Sequence, residues 1–469
     1  MKLSKLSRIY EFGGEDSFYY VIRHSLLNKS FILSEEEYEE LIAFLKLGKE
    51  NEISKENEIS KELRENHIIV GDNYGEEKFI NFIKENYKTN KFDLEIIYLI
   101  FNSGCNLKCK YCYVEGSVAP EFSHQAMDAS TFEKTMLCLE RVILSANKKK
   151  INFIFYGSEP LMAKDLVSKS LERIVKICKK NDTEPEFNIT TNGTLFDDKI
   201  LQIFKKYNVK ISVSLDGSKN VNDKIRITQD DKGTFDKISS SLKKLNEMQI
   251  PFGISCTIGP HNVDVLKENI ELFKKLGAES IGFNILLNAR YYKIPQVSLN
   301  KLNNKLIKAS EIARLENIYE DRIQRKYRAF HNSTPRLKDC GGVGNQLVFF
   351  PNGEIGVCEA YLCNRKYVVR KVEDFRLEDT KNNEVIKLWT NRYPLNMPEC
   401  IYCPAIGICG GGCPFNAETR TGDINKLDKP FCVHTSKILE WLLKKAVSEK
   451  TGEKDLYMRD ISFMFQQRI

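Results

Sequence analysis

The stretch Glu95-Ile96-Ile97-Tyr98-Leu99-Ile100-Phe101-Asn102-Ser103-Gly104-Cys105-Asn106-Leu107-Lys108-Cys109-Lys110-Tyr111-Cys112 decides the fold. Glu95–Phe101 is apolar, β-branched and aromatic, so it reads as a strand, and Asn102-Ser103-Gly104 ends it. Three cysteines follow at once, within eight residues. Working outward, apolar strands over Asn152–Tyr156, Glu186–Thr191, Lys210–Leu215, Phe252–Ile258 and Ser280–Leu286 alternate with helical stretches. Six βα units imply a parallel sheet, and right-handed crossovers curl it into a partial (β/α)6 TIM-like barrel. Chemistry in such a barrel lies at the C-terminal ends of the strands. The fold class is α/β, with the barrel over residues 91–299.

Residues 1–90 read as a separate unit. Strands at Phe18–His24 and Lys29–Leu33 lead into Ser34-Glu35-Glu36-Glu37, a capping box that opens a helix through about Lys46. The hexapeptide Asn51–Glu56 is repeated at once as Asn57–Glu62, a local duplication that lengthens a helix approach. His67–Val70 gives a strand ended by Gly71-Asp72-Asn73, and Glu76–Tyr87 gives a third helix. The order is that of a winged helix-turn-helix; a plain N-terminal cap on the barrel is the alternative.

Residues 300–335 read as a linker whose helix runs over Asn300–Arg328. After Pro335 the periodicity collapses and cysteine and glycine density rises. Residues 336–434 therefore look held by metal rather than by a large apolar core, and a helix from Thr435 to about Val447 opens the tail, 435–469.

Composition narrows the function classes. A 469-residue chain with 42% hydrophobic and 29% charged residues is ordinary for a multidomain soluble protein. No segment approaches the roughly 20 apolar residues of a membrane helix, and the start has no signal-peptide stretch, so a cytoplasmic location is expected. The net charge of +7 is scattered among glutamates, which argues against nucleic acid as a partner. Fourteen cysteines in such a chain point to metal binding rather than disulfides.

Cys105, Cys109 and Cys112 can ligate three irons of a cubane and leave the fourth iron open. Zinc fits less well: it wants four ligands, and the next cysteine, Cys138, lies on an expected helix with no histidine placed to help. The spacing CxxxCxΦC, with Tyr111 as the aromatic residue, resembles the motif of radical S-adenosylmethionine (AdoMet) enzymes. The following strand ends match as well. Phe155-Tyr156-Gly157-Ser158-Glu159-Pro160 stands at the place of the family's GGEP motif, with Ser158 for its second glycine. A serine there is mildly strained if the position needs a positive φ. Thr190-Thr191-Asn192-Gly193 ends the third strand; Ser212-Val213-Ser214-Leu215-Asp216-Gly217 ends the fourth and is followed by Arg226. The resemblance implies AdoMet contacts at Tyr111, Tyr113, Gly157, Ser158, Glu159, Thr191, Asn192, Ser214 and Arg226. Ser214 and Arg226 would face the AdoMet carboxylate.

The C-terminal region carries Cys340, Cys358, Cys400, Cys403, Cys409, Cys413 and Cys432. This order resembles the SPASM domain, an extension of radical AdoMet enzymes that act on peptides and proteins. The resemblance implies two auxiliary [4Fe-4S] clusters, hence three in all. Cys400, Cys403, Cys409 and Cys432 would bind the outer one, and Cys340, Cys358 and Cys413 the inner one. Cys363 either supplies the inner cluster's fourth ligand or stands aside and leaves an iron for a substrate thiolate. Cys138, Cys178 and Cys256 lie in apolar elements and read as core residues. Glu359 follows Cys358, where related sulfatase-maturing enzymes carry an acidic general base; a solvated glutamate on a turn is the alternative.

Together these resemblances imply an oxidoreductase that cleaves AdoMet reductively and oxidises a ribosomally made precursor peptide. Its N-terminal unit would take the leader segment as an added strand. A flavodoxin- or ferredoxin-type donor would supply electrons. Thioether formation at a cysteine is the leading expectation. Carbon–carbon crosslinking and formylglycine formation by a sulfatase-maturing enzyme are the alternatives within the class. A non-catalytic iron–sulfur carrier or zinc-held binding protein is the alternative outside it.

Overall fold

The structure is a computed structural model of the 469-residue chain, and it describes all residues except 14–16, 48–57, 88–90, 117–122, 287–295, 455 and 469. The first copy of the duplicated hexapeptide lies outside the described residues. The second contributes to a helix at Glu58–Glu65.

In the N-terminal unit the strands β1 (Ser7–Gly13), β2 (Phe18–His24) and β3 (Lys29–Ser34) are antiparallel. Helices α1 (Glu35–Leu47), α2 (Glu58–Glu65) and α3 (Glu76–Asn86) follow. The capping box forms: Ser34 N donates to Glu37 Oε2 (2.7 Å), and Glu37 N donates to Ser34 Oγ (3.2 Å).

The six expected strands are present: β4 (Ile96–Leu99), β5 (Lys150–Phe155), β6 (Glu184–Thr191), β7 (Lys210–Ser214), β8 (Phe252–Ile258) and β9 (Ser280–Ile285). They are parallel and lie in sequence order, with helices such as α4 (Ala129–Ala146), α5 (Lys164–Lys180) and α6 (Asp198–Lys206) between them. Alternating burial along β5 and β8 and side-chain caps at Asp128 and Asp197 explain the local choices.

Three features depart from the sequence reading. The linking helix is broken in two, α7 (Gln296–Leu315) and α8 (Asp321–His331), separated by a short seventh parallel strand β10 (Tyr319–Glu320) beside β9. Asn317, at φ 57°, ends the first helix; Glu320 caps the second by accepting from Arg322 N and Ile323 N (2.8 Å each). On the other side, β11 (Gln346–Phe349) pairs in parallel with β4, and β12 (Glu354–Gly356) and β13 (Val368–Lys371) continue antiparallel, giving a ten-stranded sheet. The cysteine-rich segment thus shares the apolar core, with Leu347, Phe349, Ile355, Val372 and Trp389 fully buried in it.

The tail is the third departure. Its helix α9 (Lys429–Thr451) starts earlier than expected, with Pro430 in its first turn, and so includes Cys432. Beyond it β14 (Tyr457–Asp460) pairs with β1, and Ile461 and Phe465 enter the core of the N-terminal unit with Tyr38 and Leu41. Among the described residues no helix is long and apolar enough to cross a membrane.

Candidate active site

The strand ends converge on a cavity of about 560 Å3. Its lining includes Cys105, Cys109 and Cys112 from the loop after β4, and Cys340, Cys358, Glu359 and Cys413 from the C-terminal segment. Arg322, Arg325 and Lys326 of α8 add basic groups to it.

The cysteine loop is held at both ends. Asn102 Oδ1 accepts from Gly104 N (3.2 Å) where β4 stops. Farther on, Lys108 N donates to Ile227 O (2.9 Å) and Lys110 N to Ile225 O (3.1 Å), which fastens the loop to the segment after β7. Burial pushes the Cys105 thiol up to about 12 and the Cys109 thiol up to about 11, with Arg226 opposing the rise at Cys109. Burial prevails, so these groups are held as thiols, and metal coordination would replace their protons.

The aromatic residue of the motif is part of a charged network. Tyr111 donates to Asp216 Oδ2 (2.5 Å), Arg226 Nε donates to the same oxygen (3.0 Å), and Thr257 N donates to Asp216 Oδ1 (2.9 Å). The Arg226 guanidinium also lies 5.4 Å from the Tyr111 ring centroid, with Nη1 3.9 Å from Cys109 Sγ. Burial opposes the Arg226 charge and the Asp216 carboxylate overrides it. One edge of Arg226 is thus committed to Asp216, and the residue, like Ser214, lines the cavity.

At the second strand end Gly157 has φ 120°, and a Cβ there would meet Ile100 Cγ2 at 2.7 Å. Ser158 is not among the residues of positive φ, so the strain considered for it does not arise; its Oγ donates to Ser103 O (2.6 Å), tying this strand end to the cysteine loop. Glu159 faces inward: Oε1 accepts from Thr191 Oγ1 (2.7 Å) and Leu161 N (2.9 Å), Oε2 from Asn192 N (2.7 Å). It orients the third strand end. Asn192 in turn donates to Asn106 Oδ1 (2.8 Å) and lies 3.9 Å from Cys105 Sγ.

Glu359 is half-buried and opens a short turn, Glu359–Tyr361. It stands on the cavity wall with Gln346 Nε2 3.4 Å from Oε2, and burial raises its carboxyl above the usual range. Around it lie Tyr98 and Tyr156, which sequence reasoning missed, and Tyr113, which shares a hydrogen bond with Tyr156. Tyr98 lies inside an apolar strand and Tyr156 at the end of one, where tyrosine reads as core.

The C-terminal cysteines gather in two groups. Cys358 interacts electrostatically with Cys340 and Cys413, and Cys432 with Cys409, Cys400 and Cys403, although burial is the larger effect on each. Between Cys409 and Cys413 the three glycines all adopt positive φ, and a Cβ on Gly410 would meet Asp339 N at 2.5 Å. Among the described residues no three Cys, His, Asp or Glu side chains close around a single-ion site. Cys363, 1% exposed, packs with Ile100, Val348 and Phe350 in an apolar group that Cys112 also touches. Cys138, Cys178 and Cys256 are fully buried in the core, as expected.

Residues 99–273 match the Radical SAM superfamily model. Over 392 residues, 78% of this chain and 76% of the relative, the chain is 26% identical to the radical SAM cyclopropyl synthase TigE of Paramaledivibacter caminithermalis. It is 24% identical over 339 residues, 68% of this chain and 87% of the relative, to a cysteine-type anaerobic sulfatase-maturating enzyme of Clostridium novyi. The fold is similar to that of Streptococcus suis SuiB bound to precursor peptide SuiA, with a TM-score of 0.53 and 16% identity over 92% of this chain and 99% of SuiB. With the cysteine loop, the four strand ends and these likenesses together, residues 99–273 form a radical SAM domain, in a chain related to peptide and sulfatase maturases.

Proposed function

We propose that the enzyme oxidises a ribosomally made precursor peptide and joins a cysteine sulfur to a carbon of another residue as a thioether. The observation that carries this reading is one cavity lined both by Cys105, Cys109 and Cys112 and by Cys340, Cys358, Cys413 and Glu359. A peptide lying in it meets the hydrogen-abstracting site and a second thiol-rich site at once. The donor set fits the groups the family implies: three thiols on one pinned loop, a glycine strand end with no room for a Cβ, and a buried guanidinium. A [4Fe-4S] cluster on the first three cysteines, with AdoMet, would supply a hydrogen-abstracting radical when bound.

The chain's own residues have distinct tasks in this scheme. Tyr111, Asp216 and Arg226 fix the cysteine loop, and Ser214 and Arg226 would meet the AdoMet carboxylate. Asn192 and Ser158 hold the flanking strand ends. Glu359 takes the proton that the substrate thiol loses, and Gln346 orients it. Cys340, Cys358 and Cys413 would hold the inner auxiliary cluster and Cys400, Cys403, Cys409 and Cys432 the outer one, which would supply an acceptor for the second electron. Whether Cys363 completes the inner cluster is decided by the spectrum of that cluster in Cys363→Ala.

The leader is read by the N-terminal unit, a winged-helix-like module over residues 1–90. Its sheet is closed at β1 by β14, while β3 pairs only with β2 among the described residues and offers an edge to an added strand. Reduction comes from a flavodoxin- or ferredoxin-type donor in the cytoplasm.

The test is co-expression with each short cysteine-containing peptide encoded beside this gene, followed by mass spectrometry. Loss of two hydrogens with a blocked thiol supports the thioether. Loss of two hydrogens with the thiol free overturns it in favour of carbon–carbon crosslinking, and an aldehyde at the cysteine overturns it in favour of formylglycine formation.

A further inference from the structure

Arg392 is 1% exposed and forms no ion pair among the described residues. Its donors all go to backbone carbonyls: Nη1 to Gly411 O (2.9 Å) and Gly412 O (3.4 Å), Nη2 to Lys426 O (3.3 Å), and Nε to Ile424 O. Carbonyl dipoles orient a guanidinium but do not neutralise it, and a buried charge without a counter-charge costs several kcal/mol. Gly411 and Gly412 lie on the run from Cys409 to Cys413, which carries one cysteine of each C-terminal group. The groups that act electrostatically on Arg392 are Asp428, beyond ion-pair distance, and the thiols of Cys413, Cys340 and Cys400, which would become anionic on binding iron.

A second buried cation stands nearby. Lys326 is 3% exposed, its ammonium lies 4.5 Å from the centroid of the Phe431 ring, next to Cys432, and it forms no ion pair among the described residues. The carboxylate that acts on it most strongly, Asp339, lies beyond ion-pair distance and is already paired with Arg336 at 2.8 Å. Cys409 is its thiol neighbour.

We infer that Arg392 and Lys326 are the counter-charges of the two auxiliary clusters, Arg392 serving both and Lys326 the outer one. The inference rests on the reading that these cysteines hold clusters. A cubane ligated by four thiolates is an anion that gains a further negative charge on reduction. A fixed buried cation beside it therefore stabilises the reduced form and raises its potential. Such a cation makes the cluster a better acceptor for the electron released by an oxidised peptide. Arg392 and Lys326 set potentials; they do not touch substrate.

The experiment is an EPR-monitored redox titration of the anaerobically reconstituted full-length enzyme and of Arg392→Gln, Arg392→Lys and Lys326→Met, with iron counted per chain. At the wild-type midpoints, Arg392→Gln lowers the reduced-to-oxidised ratio of both auxiliary clusters about tenfold, equivalent to about 59 mV for one electron. The cluster on Cys105, Cys109 and Cys112 keeps its midpoint. Arg392→Lys, which keeps the charge, retains most of the wild-type ratio, a rescue that a purely structural role would not produce. Lys326→Met lowers the ratio of one auxiliary cluster only. Unmoved midpoints in Arg392→Gln with full iron content overturn the inference. Should that variant lose its iron, unmoved midpoints in Lys326→Met overturn it instead. A wild type with only about four irons per chain overturns the auxiliary-cluster reading itself.

Discussion

The Tyr111 hydroxyl donates to Asp216 Oδ2 at 2.5 Å, joining the cysteine loop after β4 to the end of β7. The same carboxylate holds Arg226 and the Thr257 amide, so three strand ends are set by one buried side chain. Asp216→Ala leaves Arg226 as an unpaired buried cation and is expected to cost about 3 to 5 kcal/mol. Tyr111→Phe removes one donor from a carboxylate that keeps two others and costs about 1 kcal/mol. Urea denaturation of the two variants gives the ordering; equal losses would contradict the hub role of Asp216.

Ser158 is expected to act through its hydroxyl alone. Since its backbone is unstrained, Ser158→Gly gains nothing in conformation and loses the 2.6 Å bond to Ser103 O. A stability loss of about 1 kcal/mol with AdoMet affinity changed by less than threefold is the expected outcome. Ser158→Gly tighter in AdoMet binding by equilibrium dialysis would show that the serine hinders the site.

The C-terminal segment completes the N-terminal unit. Phe465 is fully buried against Tyr38, with ring centroids 6.1 Å apart, and β14 closes the β1 edge. Phe465→Ala is expected to cost about 3 to 5 kcal/mol locally. Limited proteolysis should cut that variant first within residues 1–90, while reductive AdoMet cleavage persists. Unchanged protection of the N-terminal unit would contradict the assignment.

His24 makes the same unit sensitive to acid. It is fully buried, its Nδ1 accepts from Leu27 N (3.2 Å), and burial depresses it from 6.5 to about 3. A histidine whose folded pKa lies below its unfolded value binds fewer protons in the folded state. Its contribution is therefore whole above about pH 6.5 and is lost as pH falls toward 3, by about 1.4 kcal/mol per unit. His24→Gln should flatten that slope in denaturation of the N-terminal unit between pH 6 and 4. An unchanged slope would contradict the assignment.

The local signals carried the parts of the fold that local physics decides. Alternating apolar residues placed β5 and β8, and Ser34 with Glu37 placed the start of α1, because neighbours in sequence settle those choices. The spacing of Cys105, Cys109 and Cys112 located the cavity for the same reason. What sequence could not show depends on distant partners. The parallel pairing of β11 with β4 spans some 250 residues of chain, and the return of Phe465 to Tyr38 spans more than 400. The break at Asn317 was hidden by the apolar periodicity on either side of it. The resemblance counted Glu159 among the AdoMet contacts, and only the structure shows that its carboxylate accepts from the amide and hydroxyl donors of Asn192, Leu161 and Thr191.

The central claim is that Cys105, Cys109 and Cys112 hold the cluster that cleaves AdoMet. The direct measurement is 5′-deoxyadenosine released under dithionite by anaerobically reconstituted wild type and by the variant with all three cysteines changed to alanine. The account predicts release by the wild type, release at the no-enzyme background in the variant, and about four fewer irons per chain. Undiminished 5′-deoxyadenosine formation by the triple variant would contradict it.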